Sequence, residues 1–204
     1  MAISRTPVFK RCNYLGIDPL VLGYSHKPSI RRTKTTTRRR KQSVYARQLI
    51  EKQKLRFIYG VLEKQFRRIY ARAEKIEGIT GENLLTLLEL RFDNTIFRLG
   101  LSTTRREGRQ LINHGHLKLN GKRVDIPSAT LKVGDVISVQ ETSKQAFRLR
   151  KLTQNRNIPA WLAFDEGTLE AKVVRLPVRS DIDYDVTEHY KKVFECLKRN
   201  KITP

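Results

Sequence analysis

Between residues 104 and 122 the chain concentrates side chains that carry positive charge or donate hydrogen bonds: Arg105, Arg106, Arg109, Gln110, Asn113, His114, His116, Lys118 and Lys122. Thr104-Arg105-Arg106-Glu107 has the spacing of a capping box, which predicts a short helix ending at Gly115. Arg105 and Arg109 fall one turn apart on that helix and are expected outward, with Leu111 and Ile112 facing inward. His116-Leu117-Lys118-Leu119 then alternates, Asn120-Gly121 fits a type I′ turn, and Lys122-Arg123-Val124-Asp125-Ile126 returns. The predicted hairpin sets His116, Lys118 and Lys122 beside the helix, so both elements present donors on one concave side. Such groups recognise phosphates and base edges rather than make bonds. No Gly-rich phosphate loop, nucleophile elbow or clustered carboxylate pair accompanies them.

Other elements must hold that surface in place. Apolar residues recur at three- and four-residue steps from Leu49 and Ile50 through Phe57, Ile58, Val61, Leu62, Phe66 and Ile69 to Ala73, predicting a helix over 45–76. Its outward positions hold Arg47, Lys54, Lys64, Arg67, Arg68 and Arg72, so one face packs and another meets polyanion. A second helix is predicted from Thr80, as N-cap with Glu82 in the first turn, to a stop at Gly100, and it forms a helix-turn-helix with the helix at 104. Val133-Gly134-Asp135-Val136-Ile137-Ser138-Val139 supplies a turn and a third strand. Trp161 to Phe164 and Leu169 to Val174 flank Asp165-Glu166-Gly167 as a second hairpin, and 187–198 reads as a terminal helix.

Charge identifies the partner's chemistry. The 204 residues include 42 Lys plus Arg against 20 Asp plus Glu, a formal net charge of +22. Phosphate backbones supply the missing counter-charge and release their own condensed cations on binding, which makes nucleic acid the expected partner. Nothing in the predicted elements resembles the added dimer helix of a two-half-site DNA reader, so structured RNA is favoured. A membrane partner is not expected. The longest apolar runs, such as 84–90, fall far short of the ~20 residues that a span needs, and no signal-like start is present. Cys12 and Cys196 match neither a disulfide framework nor a metal pair, which points to a reducing compartment. Residues 1–41 carry eleven Lys and Arg against the single acid Asp18, without periodicity, and are expected to stay extended until they wind over phosphate.

Particular residues point to a family. The run Glu89-Leu90-Arg91-Phe92-Asp93-Asn94, continued by Phe97-Arg98-Leu99-Gly100, resembles the RNA-binding module named after ribosomal protein S-four. Thr103-Thr104-Arg105, Arg109 through Gly115, and Val133 to Val136 extend the likeness. Upstream, 51–54, 57–66 and 80–85 resemble the flanking helical domain of the small-subunit ribosomal protein itself, and so do Pro159 to Leu162, Arg179-Ser180-Asp181 and Glu188-His189.

The resemblance implies an α+β fold with a basic N-terminal extension over 1–44. It implies a helical rRNA-binding domain from 45–90 and 155–204, with the RNA-binding module inserted as 91–154. It also implies a structural protein of the small subunit that binds rRNA directly, nucleates early assembly and contributes to translational accuracy. Expected partners are small-subunit rRNA, neighbouring ribosomal proteins and incoming mRNA, with no membrane and no homo-oligomer. The expected location is the cytoplasmic ribosome, with an organelle matrix as the alternative. Arg38, Arg39 and Lys41 are expected on rRNA or on the path of incoming mRNA, and Arg98 and Thr104 join the RNA-binding set. Many relatives hold zinc with four cysteines near the N-terminus, whereas this chain offers Cys12 alone there, so no metal or other cofactor is expected. Similar modules are appended to pseudouridine synthases, and Arg91-Phe92-Asp93 echoes a catalytic stretch of theirs. Asp93, however, lies within the module's own helix, and no further domain of catalytic size remains, so an enzyme is not expected.

Overall fold

Val8, Cys12 and Leu15 are spaced four and three residues apart, which aligns them on one side of a helix. In the computed structural model, which describes residues 7–25, 43–149 and 158–182, they lie on α1 (Val8–Leu15), where Cys12 and Leu15 are buried. The described residues fall into two compact units, one of 7–25 with 43–63 and one of 64–149 with 158–182. In the first unit α1 is followed by a 3-10 turn over Pro19–Leu22, where the Asp18 carboxylate accepts from the Leu20 amide. Charge counting alone had suggested that 1–41 stays extended without a core; for 7–25 the apolar stripe overrides it. Burial, helped by the Asp18 carboxylate, pushes the Cys12 thiol above its ordinary range. The expectations for 26–42 lie outside the described residues.

The helix expected over 45–76 is two helices. Ser43 caps α2 (Val44–Ile58) by accepting a hydrogen bond from the Ala46 amide. At the other end the Gly60 amide donates to the Phe57 carbonyl and the Val61 amide to that of Arg56, with Gly60 at φ 60. That pattern is a Schellman stop, which needs a residue that tolerates the left-handed region, and only glycine does so without cost. The chain restarts at once as α3 (Glu63–Ala73). Glu63 at that restart accepts from Lys52 (2.6 Å) and Arg56 (2.8 Å) of α2, while Arg11 of α1 reaches Gln53 at 3.4 Å.

In the second unit α3 buries Phe66, Tyr70 and Ala73 at helical spacing. The helix expected from 80 to 100 is likewise split, into α4 (Thr80–Glu89) and α5 (Phe92–Arg98). Ile79, not Thr80, is the N-cap residue of α4. The break at 90–91 has a non-local cause. The segment 127–131 runs alongside, so that Leu131 N–H donates to the Leu90 carbonyl and Phe92 N–H to that of Ala129, with Arg91 bridged to Thr130. Gly100 follows α5 as expected. Then α6 (Arg105–Asn113) packs on α5 through Gly108, where a Cβ would stand 3.2 Å from the Asp93 carbonyl and 3.1 Å from Ser102 Oγ.

Strands β1 (Leu117–Leu119) and β2 (Lys122–Arg123) form the expected hairpin, and Asn120 (φ 50) and Gly121 (φ 76) give the two left-handed residues of a type I′ turn. β3 (Val136–Val139) pairs antiparallel with β1. Asn120 fastens the two, accepting from Val136 N–H at 2.8 Å and donating to Asp135 at 2.9 Å. α7 (Glu141–Leu149), not anticipated from the sequence, follows and buries Phe147.

The second hairpin, β4 (Leu162–Asp165) and β5 (Glu170–Val173), forms where expected, but its partner differs from the expected one. The resemblance implies a helical domain that includes 155–204; in the described part of that segment β5 pairs with β3, completing one antiparallel sheet of order β2-β1-β3-β5-β4. Trp161, Leu162, Leu169, Ala171 and Val173 share a core with Phe92, Ile96, Leu111, Ile112, Leu117 and Ile137. The expected edge at 154 therefore does not separate this hairpin from the module. The architecture is α+β, with seven α-helices and five strands among the described residues. No described helix is long and apolar enough to cross a membrane.

Because Trp161 is fully buried in the shared core, Trp161→Ala should destabilise the sheet-bearing unit by about 3–5 kcal/mol. Amide exchange is the readout. Protection should fall in β1 and β3 together with β4 and β5, whereas loss confined to 158–174 would mean that the hairpin is an independent appendage.

Candidate nucleic-acid interface

The interface rests on a set of charges that never reach it. Glu89 ends α4 and Asp93 lies in α5, and both are 1% exposed. Glu89 accepts from Arg98 through both carboxylate oxygens (3.0 and 3.1 Å) and from Asn94 at 2.7 Å. Asn94 in turn accepts from Arg105 Nε at 2.8 Å, and the Arg105 guanidinium lies 4.1 Å from the centre of the Phe97 ring. Asp93 takes a two-pronged bond from Arg91 (2.9 and 3.1 Å) and a third from Arg109 Nε at 2.6 Å. Buried ions persist only when paired and hydrogen-bonded, and here the pairs also fix how α4, α5 and α6 meet.

Helical geometry separates the remaining cations from these. Arg106, Gln110 and Asn113 occur at steps of four and three on α6 and are all exposed. The helix delivers His114 next to His116, with ring centres 6.0 Å apart, and His116 Nδ1 lies 2.9 Å from Ser143 Oγ of α7. Arg123 of β2 covers Gly115 so closely that a Cβ there would collide with its guanidinium. Lys122 is exposed at the hairpin turn and Lys118 is half-buried on β1. The end of α6 and the start of the hairpin thus share one cationic surface. On α3, Lys64, Arg67, Arg68 and Arg72 are exposed opposite the buried Phe66, Tyr70 and Ala73.

Several expected contact residues have other work. Arg105 is 5% exposed and does not lie on an outward face, because it is seven residues before Ile112 and therefore on the same side of α6. Arg98 is buried against Glu89, and Arg109 is half-buried against Asp93. Thr104 is the N-cap of α6, with its Oγ1 accepting from Glu107 N–H. The Glu107 carboxylate binds Thr103 N–H and Oγ1 rather than Thr104, so the reciprocal half of the capping box is shifted by one residue. In the first unit Arg47 is exposed, while Lys54 is half-buried and paired with Glu51 at 2.9 Å. Arg38, Arg39 and Lys41 lie outside the described residues. Lys64 and Arg72 stand on the outward face that the periodicity of α3 predicts, whereas no sequence signal marks Arg123.

Glu89→Gln should cost about 3–5 kcal/mol, since it leaves the buried Arg98 without its counter-ion. Arg105→Ala should cost about 1.5–3 kcal/mol, while Arg106→Ala should stay within about 0.5 kcal/mol of the parent. Chemical denaturation measures all three, and an Arg105 variant as stable as the Arg106 variant would refute the buried placement.

Comparison with known proteins agrees with this architecture. Residues 5–89 match the family model "Ribosomal protein S4/S9 N-terminal domain", and residues 90–137 match "S4 domain". The curated protein "Small ribosomal subunit protein uS4" of Lachnospira eligens is 48% identical over 191 residues, covering 92% of this chain and 95% of the relative. Its namesake in Fusobacterium nucleatum is 45% identical over 188 residues, with coverage of 92% and 95%. That of Clostridioides difficile is 52% identical over 153 residues, 74% of each chain. With these matches spanning both units and the helix pair that bears the cationic surface, the chain belongs to the small ribosomal subunit protein uS4 family, whose members are structural proteins and not enzymes.

Proposed function

We propose that this chain binds small-subunit rRNA directly, through the end of α6, the β1–β2 hairpin and the outer face of α3. One observation carries the reading. α6 divides its cations, with Arg105 and Arg109 held by internal acceptors while Arg106, Gln110 and Asn113 point to solvent beside His114, His116, Lys118 and Lys122. A helix that anchors some arginines inside and holds others at the surface presents a rigid cationic face, which is what structured RNA requires of a shape-reading partner.

The family resemblance supports the finer roles. On this reading the protein joins the subunit early and nucleates its assembly. It touches a neighbouring ribosomal protein in a contact that affects decoding accuracy, and it works as a single copy on the cytoplasmic ribosome. Arg38, Arg39 and Lys41 track phosphates of rRNA or of incoming mRNA. The helical domain and the module both face the RNA, the first through Arg47, Arg67 and Arg68.

Filter binding of the full chain to small-subunit rRNA, repeated across salt concentrations, tests the direct contact. Affinity should fall roughly 10³-fold or more between about 50 and 200 mM salt if some six phosphates are engaged. Arg106→Ala and Lys122→Ala should each weaken binding and flatten the log–log salt slope by about one. Salt-independent binding, or variants with parental affinity and slope, would overturn the proposal.

A further inference from the structure

The second unit contains a cleft of about 170 Å³ bordered by α3, α4 and the 128–130 segment. Arg68 and Arg72, one turn apart on α3, line it together with Gln65, Ser128 and Thr130. Its apolar lining comes from Ile69 and from Leu87 of α4, both half-buried. No carboxylate lines it. Arg91 also borders the cleft, but its guanidinium is bound to Asp93, so the available charge comes from Arg68 and Arg72. The segment carrying Ser128 and Thr130 is anchored by the backbone bonds that break the 80–100 helix, so the wall is built into the fold.

Resting on the rRNA-binding reading above, we infer that this cleft receives one unpaired nucleotide of the RNA, its base over Ile69 and Leu87 and its phosphate on Arg68 and Arg72. A base needs an apolar contact, hydrogen-bonding groups for its edge and a cation for the attached phosphate, and the lining of the cleft includes all three. Its size admits a single heterocycle and excludes a duplex. An inorganic anion alone would leave the apolar floor unused, and an apolar ligand would leave two guanidinium groups unmatched. The planar guanidinium also stacks on bases, which suits a position beside a splayed nucleotide.

The test uses the full chain, isotopically labelled, titrated with adenosine 5′-monophosphate while backbone amide signals are followed. Inorganic phosphate and adenosine serve as parallel arms, and rRNA binding is measured on the same samples. Saturable shifts confined to 65–72, 87 and 128–130 are expected with the nucleotide, with at least about tenfold weaker effects from either fragment. Bound small-subunit rRNA should displace the nucleotide. Arg68→Gln combined with Arg72→Gln should weaken nucleotide binding by at least about tenfold, at unchanged thermal stability, because both side chains are exposed. The inference is overturned if phosphate alone matches the nucleotide, if the double variant binds it as the parent does, or if rRNA leaves it in place. A parent chain that binds rRNA but not the nucleotide would reject this subsite and leave the rRNA reading standing. A parent that binds no rRNA would reject that reading itself.

Discussion

Two buried carboxylates, Glu89 and Asp93, hold the arrangement on which the rest of this structure depends. Each is almost wholly removed from water, and a bare carboxylate there would cost several kcal/mol, so each is surrounded by donors. Glu89 takes Arg98 and Asn94, and Asn94 passes the connection to Arg105; Asp93 takes Arg91 and Arg109. The acids come from α4 and α5, while Arg105 and Arg109 come from α6. The helices are therefore locked by direction-specific bonds as well as by the apolar core of Ile96, Leu111 and Ile112. Apolar packing tolerates sliding; a two-pronged guanidinium–carboxylate bond fixes both distance and angle.

That locking explains how a chain with net charge +22 presents a defined surface rather than a diffuse cloud. A helix can expose only one side once its other side is fixed. With Arg105, Gly108 and Ile112 turned toward α5, Arg106, Gln110 and Asn113 have no orientation except outward. The hairpin is fixed in the same way. Its type I′ turn is tied to β3 through Asn120 and Asp135, and β3 is held in turn by β5. Cations on such a frame meet phosphates without first losing the freedom of a disordered arm, so less of the binding energy is spent on ordering.

Features governed by local chemistry were legible in the sequence. Asn120-Gly121 dictated its turn, Gly100 its stop, and the 3.6-residue stripe of α3 its exposed arginines. The breaks at Gly60 and at Leu90–Arg91 lie inside unbroken apolar periods. The first needed the glycine to outweigh an unbroken apolar pattern, and the second depends on 127–131, a segment almost forty residues away that no helical period can reveal. The partner of the β4–β5 hairpin was hidden for the same reason, since a strand's own alternation does not say which edge it joins. The misplacement of Arg105 is different in kind. Its spacing from Gly108 and Ile112 points inward, whereas its charge suggests exposure. Where charge and period disagree on a helix, a buried acceptor such as the Asn94 side chain decides for the period.

The most direct measurement of whether the arginines of α6 divide between scaffold and interface is the salt dependence of rRNA binding by Arg105→Met. This substitution removes the bond to Asn94 and keeps much of the side chain's volume. Burial of Arg105 predicts a log–log salt slope equal to the parent's, accompanied by reduced resistance to denaturant, because no phosphate contact has been lost. A slope shallower by about one, in a variant of parental stability, would place Arg105 on the RNA and contradict the division.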